Sequence, residues 1–364
     1  MKLTFWGYQI ELDQINLGLI LSLAIIGLAF IYSSTHTATN SHPIYFQKQL
    51  VGWIVGLLIY FKLSNTDYRT LCRQGYFIYF IIIALLIFTM IKGSIGMGAR
   101  RWINLGFIKF QPSELTKLFL PAYFAYELDG EITPAKLKRK FYRIFGILIF
   151  STLLIIKQPD LGTGLVVLGS GILMLWLSNI NHKFFKYLLI LSVISAPVGW
   201  KLMRPYQKKR VEVFLGFGDQ SREAYHINQS KIAIGSGQLI GKGYLGGTQN
   251  KFEFLPEGRT DFIFAVICEE IGLLGALLIL LIYLILFLRL LAQIILITCP
   301  AVQLLAIGLL IHIVLSTIIN ICMVSGLLPV VGIPLPLISY GISNLWITLA
   351  SLGWLQGIIN RSSN

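Results

Sequence analysis

Apolar runs of about twenty residues, the length that crosses a bilayer core, recur from one end of this 364-residue chain to the other. Only 13% of the residues are charged and 55% are hydrophobic, too little charge to cover a soluble protein of this size. The fold class that follows is an all-α polytopic membrane protein, read as one membrane domain over 1–364. Ten spans are predicted, at 17–32, 46–63, 76–91, 113–126, 144–156, 164–178, 184–202, 261–288, 302–323 and 339–359. The first is expected to be a retained helix rather than a cleavable signal, because no basic run precedes it.

Lys and Arg in the short loops orient the bundle. Lys62, Arg69 and Arg73 lie between spans two and three, Lys136 to Arg143 between four and five, and Lys183 and Lys186 between six and seven. These loops and both termini are placed on the cytoplasmic side. The four cysteines, Cys72, Cys268, Cys299 and Cys322, fit neither a zinc spacing nor a disulfide framework and read as small packing residues. The net charge of +14 has no soluble basic domain to carry nucleic acid, so none is expected as a partner. Anionic lipid, or an anionic lipid-linked substrate, suits it better.

Two outer segments break the charge rule. The 92–110 segment carries Lys92, Arg100, Arg101 and Lys109, and the large extracytoplasmic loop at 203–260 carries Arg204, Lys208, Lys209, Arg210 and others. Long loops translocate regardless of charge. Cations beside a membrane cavity would suit a pyrophosphate, and a solvated loop attracting anionic headgroups is the plainer alternative. The same loop holds Gly235, Gly237, Gly241, Gly243, Gly246 and Gly247, which would allow close backbone approach to a ligand. An ordinary re-entrant or surface loop accounts for them equally well.

Where this loop ends, at Leu255-Pro256-Glu257-Gly258-Arg259-Thr260-Asp261-Phe262-Ile263-Phe264, a carboxylate meets the mouth of a membrane helix. Asp at the centre of such a helix costs about 2.5–3.5 kcal/mol, whereas a helix N-terminus favours an anion by about 0.3–1 kcal/mol. Asp261 is therefore a candidate base at headgroup depth. Gln111-Pro112-Ser113-Glu114-Leu115-Thr116-Lys117 opens span four with Pro112 at the first helical position. Glu114 and Lys117, three apart, share a face and are candidates for an ion pair at the outer membrane edge. Asp160, in Gln158-Pro159-Asp160-Leu161-Gly162-Thr163, reads as a turn residue able to cap the next helix. In Gly98-Ala99-Arg100-Arg101-Trp102, Arg101 is a phosphate candidate, and Trp102 would either sit at the interface or stack on a sugar. Glu269 and Glu270 read as structural unless a cavity reaches them. The proline-rich 327–341 link cannot be regular helix and is expected to be a re-entrant turn facing the site.

Taken together these motifs resemble the SEDS family, whose members shape, elongate and divide bacterial cells. The resemblance spans nearly the whole chain. It rests on Phe110 to Lys117, Gln158 to Thr163, Gln229 to Gly237, Leu255 to Phe264 and Gly326 to Gly341. Met323-Val324 and Gly332-Ile333-Pro334-Leu335-Pro336 look like the elongation branch (RodA) rather than the division branch (FtsW). The resemblance implies a peptidoglycan glycosyltransferase of the bacterial cytoplasmic (inner) membrane, polymerising lipid II into β-1,4 strands with inversion at an outward-facing site. It implies Asp261 as the essential acid, Glu114 and Lys117 as cavity residues, and a class B penicillin-binding transpeptidase as partner. Arg101, Lys117 and Arg210 are the candidates for the diphosphate charge, with or without a divalent cation, magnesium or manganese. A precursor flippase and a non-catalytic transpeptidase scaffold are the competing classes.

This chain departs from the family pattern at Gln238, Arg259, Cys322, Val331, Ile342 and Asn344. Arg259 in particular is expected to lower the pKa of Asp261 as a nearby cation.

Overall fold

The computed structural model describes residues 2–362 except 6, 7, 12, 37–42, 97–98, 105–108, 131–133, 179–181, 218–221, 253 and 256. Gly98 and Pro256 of the motifs lie outside the described residues, as does part of the predicted outer loop between the first two spans.

Each of the ten apolar runs contains a helix. In chain order these are α1 (Gln14–Thr35), α2 (Pro43–Asn65), α3 (Tyr68–Lys92), α4 (Pro112–Leu128), α5 (Pro134–Lys157), α6 (Leu161–Leu177) and α7 (His182–Leu202), followed after the large loop by α11 (Ile263–Ile295), α12 (Pro300–Val324) and α13 (Ile342–Ser362). Between α7 and α11 lie α8 (Pro205–Phe214), α9 (Arg222–Ser236) and the single turn α10 (Thr248–Lys251). Among the described residues, seven helices are long and apolar enough to cross a membrane, namely α1, α2, α3, α7, α11, α12 and α13. α4 and α6 have 17 residues each, and α5 begins with a basic turn.

The helix bounds differ from the apolar runs in a systematic way. α3 starts at Tyr68 and α5 at Pro134, so Arg69, Arg73, Lys136 and Arg143 lie on helices rather than in loops. Lys and Arg are good helix formers, so these helices outrun their apolar segments. Five short strands depart from the all-helical expectation: β1 (Lys2–Phe5) pairs with β2 (Tyr8–Glu11), and β3 (Ser94–Gly96), β4 (Ala99–Asn104) and β5 (Lys109–Phe110) form a small antiparallel sheet in the 92–110 segment.

Two apolar cores hold the bundle. One gathers α1, α2, α11, α12, α13 and the link after α12, with Trp354, Tyr60 and Ile338 fully buried. The other joins α3, α4, α5 and α6 around Tyr79, Tyr123 and Phe141. α12 touches both α4 and α6 and so bridges the cores. At Gly27 of α1 an added Cβ would lie 2.8 Å from the backbone of Ile338, so this glycine lets the link sit directly on the helix.

The glycine-rich stretch finds its purpose here. α11 breaks at Gly272, whose φ is +67°. The chain after α9 docks on that break: Lys242 N–H donates to the Glu269 carbonyl (3.0 Å), Gly243 N–H to that of Glu270 (2.9 Å), and Leu273 N–H to that of Gln238 (2.9 Å). Gln238, one of the departures from the resembled pattern, stands with φ +50°, so the backbone keeps the left-handed form there without a glycine. The Glu269 carboxylate, fully buried, accepts from Lys242 Nζ at 2.6 Å and from Thr248 N–H at 2.8 Å, while Glu270 accepts from Ser33 Oγ and from Leu245 N–H. These acids are structural, and Gly237 and Gly241 admit the backbone of α11 rather than a phosphate.

A Cβ on Gly241 (φ +81°) would fall 2.2 Å from the Glu270 carbonyl oxygen. Gly241→Ala should expose the 237–249 segment to limited proteolysis and lower the thermal unfolding midpoint. Gly235→Ala, with nothing within 4 Å of the new methyl, should do neither.

Candidate active site

Four segments meet over the end of the bundle: those between α3 and α4, between α5 and α6, between α7 and α11, and between α12 and α13. They enclose a cavity of about 1230 Å³. Small-ligand pockets run to about 300–1,000 Å³, so this one has room for a larger substrate. All seven residues singled out from the sequence line it: Arg101, Trp102, Glu114, Lys117, Asp160, Arg210 and Asp261.

Asp261 sits in the turn two residues before α11 begins, not within the helix. It is half-buried, and among the described residues its carboxylate accepts no hydrogen bond, so its oxygens are left to the cavity. Burial raises its carboxyl from the usual carboxylate range to about 6; Glu257 and Asp160 add to the rise, and Arg101 and Arg210 oppose it. The expected depression by Arg259 is overturned. That guanidinium lies 4.2 Å from the centre of the Tyr45 ring and is spent on a cation–π contact instead.

The turn carrying Asp261 is held by the 327–341 link. Tyr340 N–H donates to the Arg259 carbonyl at 2.9 Å, and Ser339 Oγ donates to the Thr260 carbonyl at 2.6 Å while accepting from Leu335 N–H at 2.8 Å. Gly332 (φ +74°) borders the carboxylate: a Cβ there would lie in ordinary contact, 3.4 Å from Asp261 Oδ2. Gly162 packs on the same link, since its Cβ would meet the Val331 carbonyl oxygen at 2.9 Å. The link is irregular, as its prolines require, and it lines the cavity through Val331, Gly332, Ile333 and Pro334.

Asp160 caps α6, as its turn context implies, by accepting from Thr163 N–H at 3.3 Å. It also accepts from Ser113 Oγ (2.9 Å) and Gln111 Nε2 (2.5 Å), and pairs with Arg101 at 3.5 Å. This acid ties α4, α6 and β4 together and fixes one arginine at the cavity wall. Arg101 and Arg210 each have a buried Nε with no hydrogen-bond partner among the described residues. Pro112 opens α4 as expected, and Glu114 and Lys117 form a buried ion pair at 2.7 Å, with Asn344 Nδ2 3.3 Å from the same carboxylate oxygen.

The sequence reading assigned Lys48, Glu257 and Tyr340 no role of their own and counted Arg204 only among the loop cations, yet all four line the cavity. A lysine two residues inside the apolar run of span two was the available signal for Lys48. No pattern marked Tyr340, whose place depends on how the link folds. Of the large-loop cations, Arg204 and Arg210 line the cavity, whereas Lys242 serves Glu269 and Arg259 serves Tyr45. Among the described residues no three His, Cys, Asp or Glu side chains come together to hold a metal. A divalent ion would need substrate phosphates to complete its shell around one or two carboxylates.

The fold and site define a multi-pass membrane protein with an acid-centred, cation-lined cavity where the bundle meets its loops. A family model described as cell cycle protein (FtsW, RodA, SpoVE) matches residues 14–364, and the chain belongs to that family. It is 39% identical over 361 residues to the peptidoglycan glycosyltransferase MrdB of Escherichia coli K12, covering 98% of this chain and 95% of that one. It is 35% identical to the stage V sporulation protein E of Bacillus subtilis, covering 94% and 95%. Among solved structures it is similar to the rod shape determining protein RodA of Thermus thermophilus, with TM-score 0.72 and 25% identity over 97% of this chain and 98% of that one. It is also similar to a chain of a peptidoglycan synthase complex that coordinates polymerization and crosslinking, with TM-score 0.80 and 26% identity over 98% and 99%.

Removing one partner of a buried ion pair leaves an uncompensated charge and costs about 3–5 kcal/mol. Lys117→Met should therefore lower the thermal unfolding midpoint, and Glu114→Gln in the same chain should restore most of the loss.

Proposed function

We propose that this protein is a peptidoglycan glycosyltransferase of the bacterial cytoplasmic membrane, polymerising lipid II into β-1,4 glycan strands during cell elongation. Its cavity faces outward. The observation that carries the reading is the carboxylate of Asp261, which among the described residues accepts no hydrogen bond, in a large cavity whose other charged walls are mostly cationic. Relatives named peptidoglycan glycosyltransferase, 39% identical over nearly the full chain, support it.

Glycosyl transfer needs a base for the acceptor and relief for the leaving group. Asp261 takes the proton of the acceptor sugar's 4-hydroxyl as that oxygen attacks the donor's anomeric carbon. The bond to the diphosphate breaks on the opposite face, so the α-linked donor yields a β-linkage, and undecaprenyl diphosphate departs. Arg101 and Arg210 stabilise the charge growing on the diphosphate. Arg101 is preset for this by Asp160, which costs no reorganisation at the moment of reaction. Lys117 is neutralised by Glu114, so its role is to shape the wall rather than to carry phosphate charge. Trp102 offers a face for a sugar. A magnesium or manganese ion would be held by Glu257 and the diphosphate oxygens and would supply further charge neutralisation. A class B penicillin-binding transpeptidase is the proposed partner, because a similar chain works in a complex that couples polymerization to crosslinking.

Asp261→Asn keeps the shape and removes the base. Purified protein carrying it should lose about 10²–10⁴-fold in the rate of glycan synthesis from lipid II, and a normal rate would overturn the reading in favour of a flippase or scaffold.

The base works ionised, so kcat/KM should rise with pH through about 6. Arg210→Gln removes a cation that favours the charged form and should move this limb to higher pH. Glu257→Gln removes a like charge and should move it lower.

A further inference from the structure

Asn320, on α12, is fully buried. Its carboxamide nitrogen lies 2.8 Å from the Asp261 carbonyl oxygen and 2.7 Å from that of Ile333. An amide nitrogen has two hydrogens to give, and both are accounted for by these two acceptors. Because both neighbours are carbonyls, the nitrogen rather than the oxygen must face them. The two carbonyls belong to different pieces of the site. One is the backbone of the candidate base. The other follows Gly332, the residue that abuts the Asp261 carboxylate.

We propose that Asn320 is the positioning residue for Asp261: by bridging the base's own carbonyl to the Ile333 carbonyl, it fixes the distance between the carboxylate and the cavity wall at Gly332. The proposal rests on the reading of Asp261 as the base. Tyr340 and Ser339 grip the two preceding carbonyls from the link alone. Asn320 instead reaches from a membrane helix to both the turn and the link, so it registers them against the bundle. A displaced turn would change how Asp261 faces Glu257, Arg101, Arg210 and Asp160, the charged groups that act on it.

The test uses the full-length protein in nanodiscs with purified lipid II. Initial rates are measured against substrate concentration and pH for the wild type, Asn320→Leu, Asn320→Thr and Asp261→Asn, with thermal unfolding alongside. Asn320→Leu removes both donors. It should lower kcat about 10²-fold, as a misplacement of about 1 Å can, with KM within about twofold. Its ascending pH limb should be displaced from that of the wild type. Asn320→Thr, whose hydroxyl can serve one carbonyl, should recover part of the rate, and it carries the test by the same criteria if the leucine variant does not fold. A lower unfolding midpoint with kcat and the pH limb unchanged would make Asn320 a plain strut and overturn the proposal. An inactive Asp261→Asn beside a fully active Asn320→Leu sinks this proposal alone, whereas Asp261→Asn at the wild-type rate sinks the base reading with it.

Discussion

Irregular backbone beside a membrane bundle survives only if its polar groups find partners in the protein. The turn that carries Asp261 meets that demand by borrowing donors from a second irregular segment. The carbonyls of Arg259 and Thr260 are taken by Tyr340 and Ser339, and the proline-rich link in turn rests on Gly27, Gly162 and Gln49. Neither segment could hold its shape alone. Paired, they hold a carboxylate whose oxygens, among the described residues, remain free for the cavity, and the proposed chemistry depends on that freedom. The fixed backbone beneath it means that little must reorganise when substrate arrives.

The charges around this acid divide into those already satisfied and those still available. Asp160 is surrounded by donors and Glu114 is paired with Lys117, so both spend their charge on architecture. Arg101 and Arg210 retain buried guanidinium nitrogens without partners among the described residues. As proposed, such a site attracts an anion with its arginines and leaves the Asp261 carboxylate free to react. In the proposed reaction, the upward pull of burial on Asp261 is what suits its carboxylate to act as a base near neutral pH.

The helices and the site differed in how legible they were. Each apolar run located a helix, seven of them among the described residues long and apolar enough to cross a membrane. The runs misplaced the starts of α3 and α5, where helix-forming Lys and Arg carry the helix past the apolar stretch. The motif residues converged on one cavity because prolines, caps and intramembrane charges each leave a local signature. Contacts that depend on tertiary geometry left none. Arg259 stands two residues before Asp261 in sequence, which suggested a neighbouring charge, yet its side chain turns to Tyr45. The glycines from Gly235 to Gly247 looked like a ligand cradle because close approach reads the same whatever approaches. The break at Gly272 reveals that what approaches Gly237 and Gly241 is helix backbone.

The most direct measurement of the central claim is an experimental structure of this protein with a lipid II analogue bound. The account predicts an acceptor sugar hydroxyl within hydrogen-bond reach of the Asp261 carboxylate and a diphosphate against Arg101 and Arg210. A diphosphate bound away from those arginines, or a carboxylate touching no sugar, would contradict it.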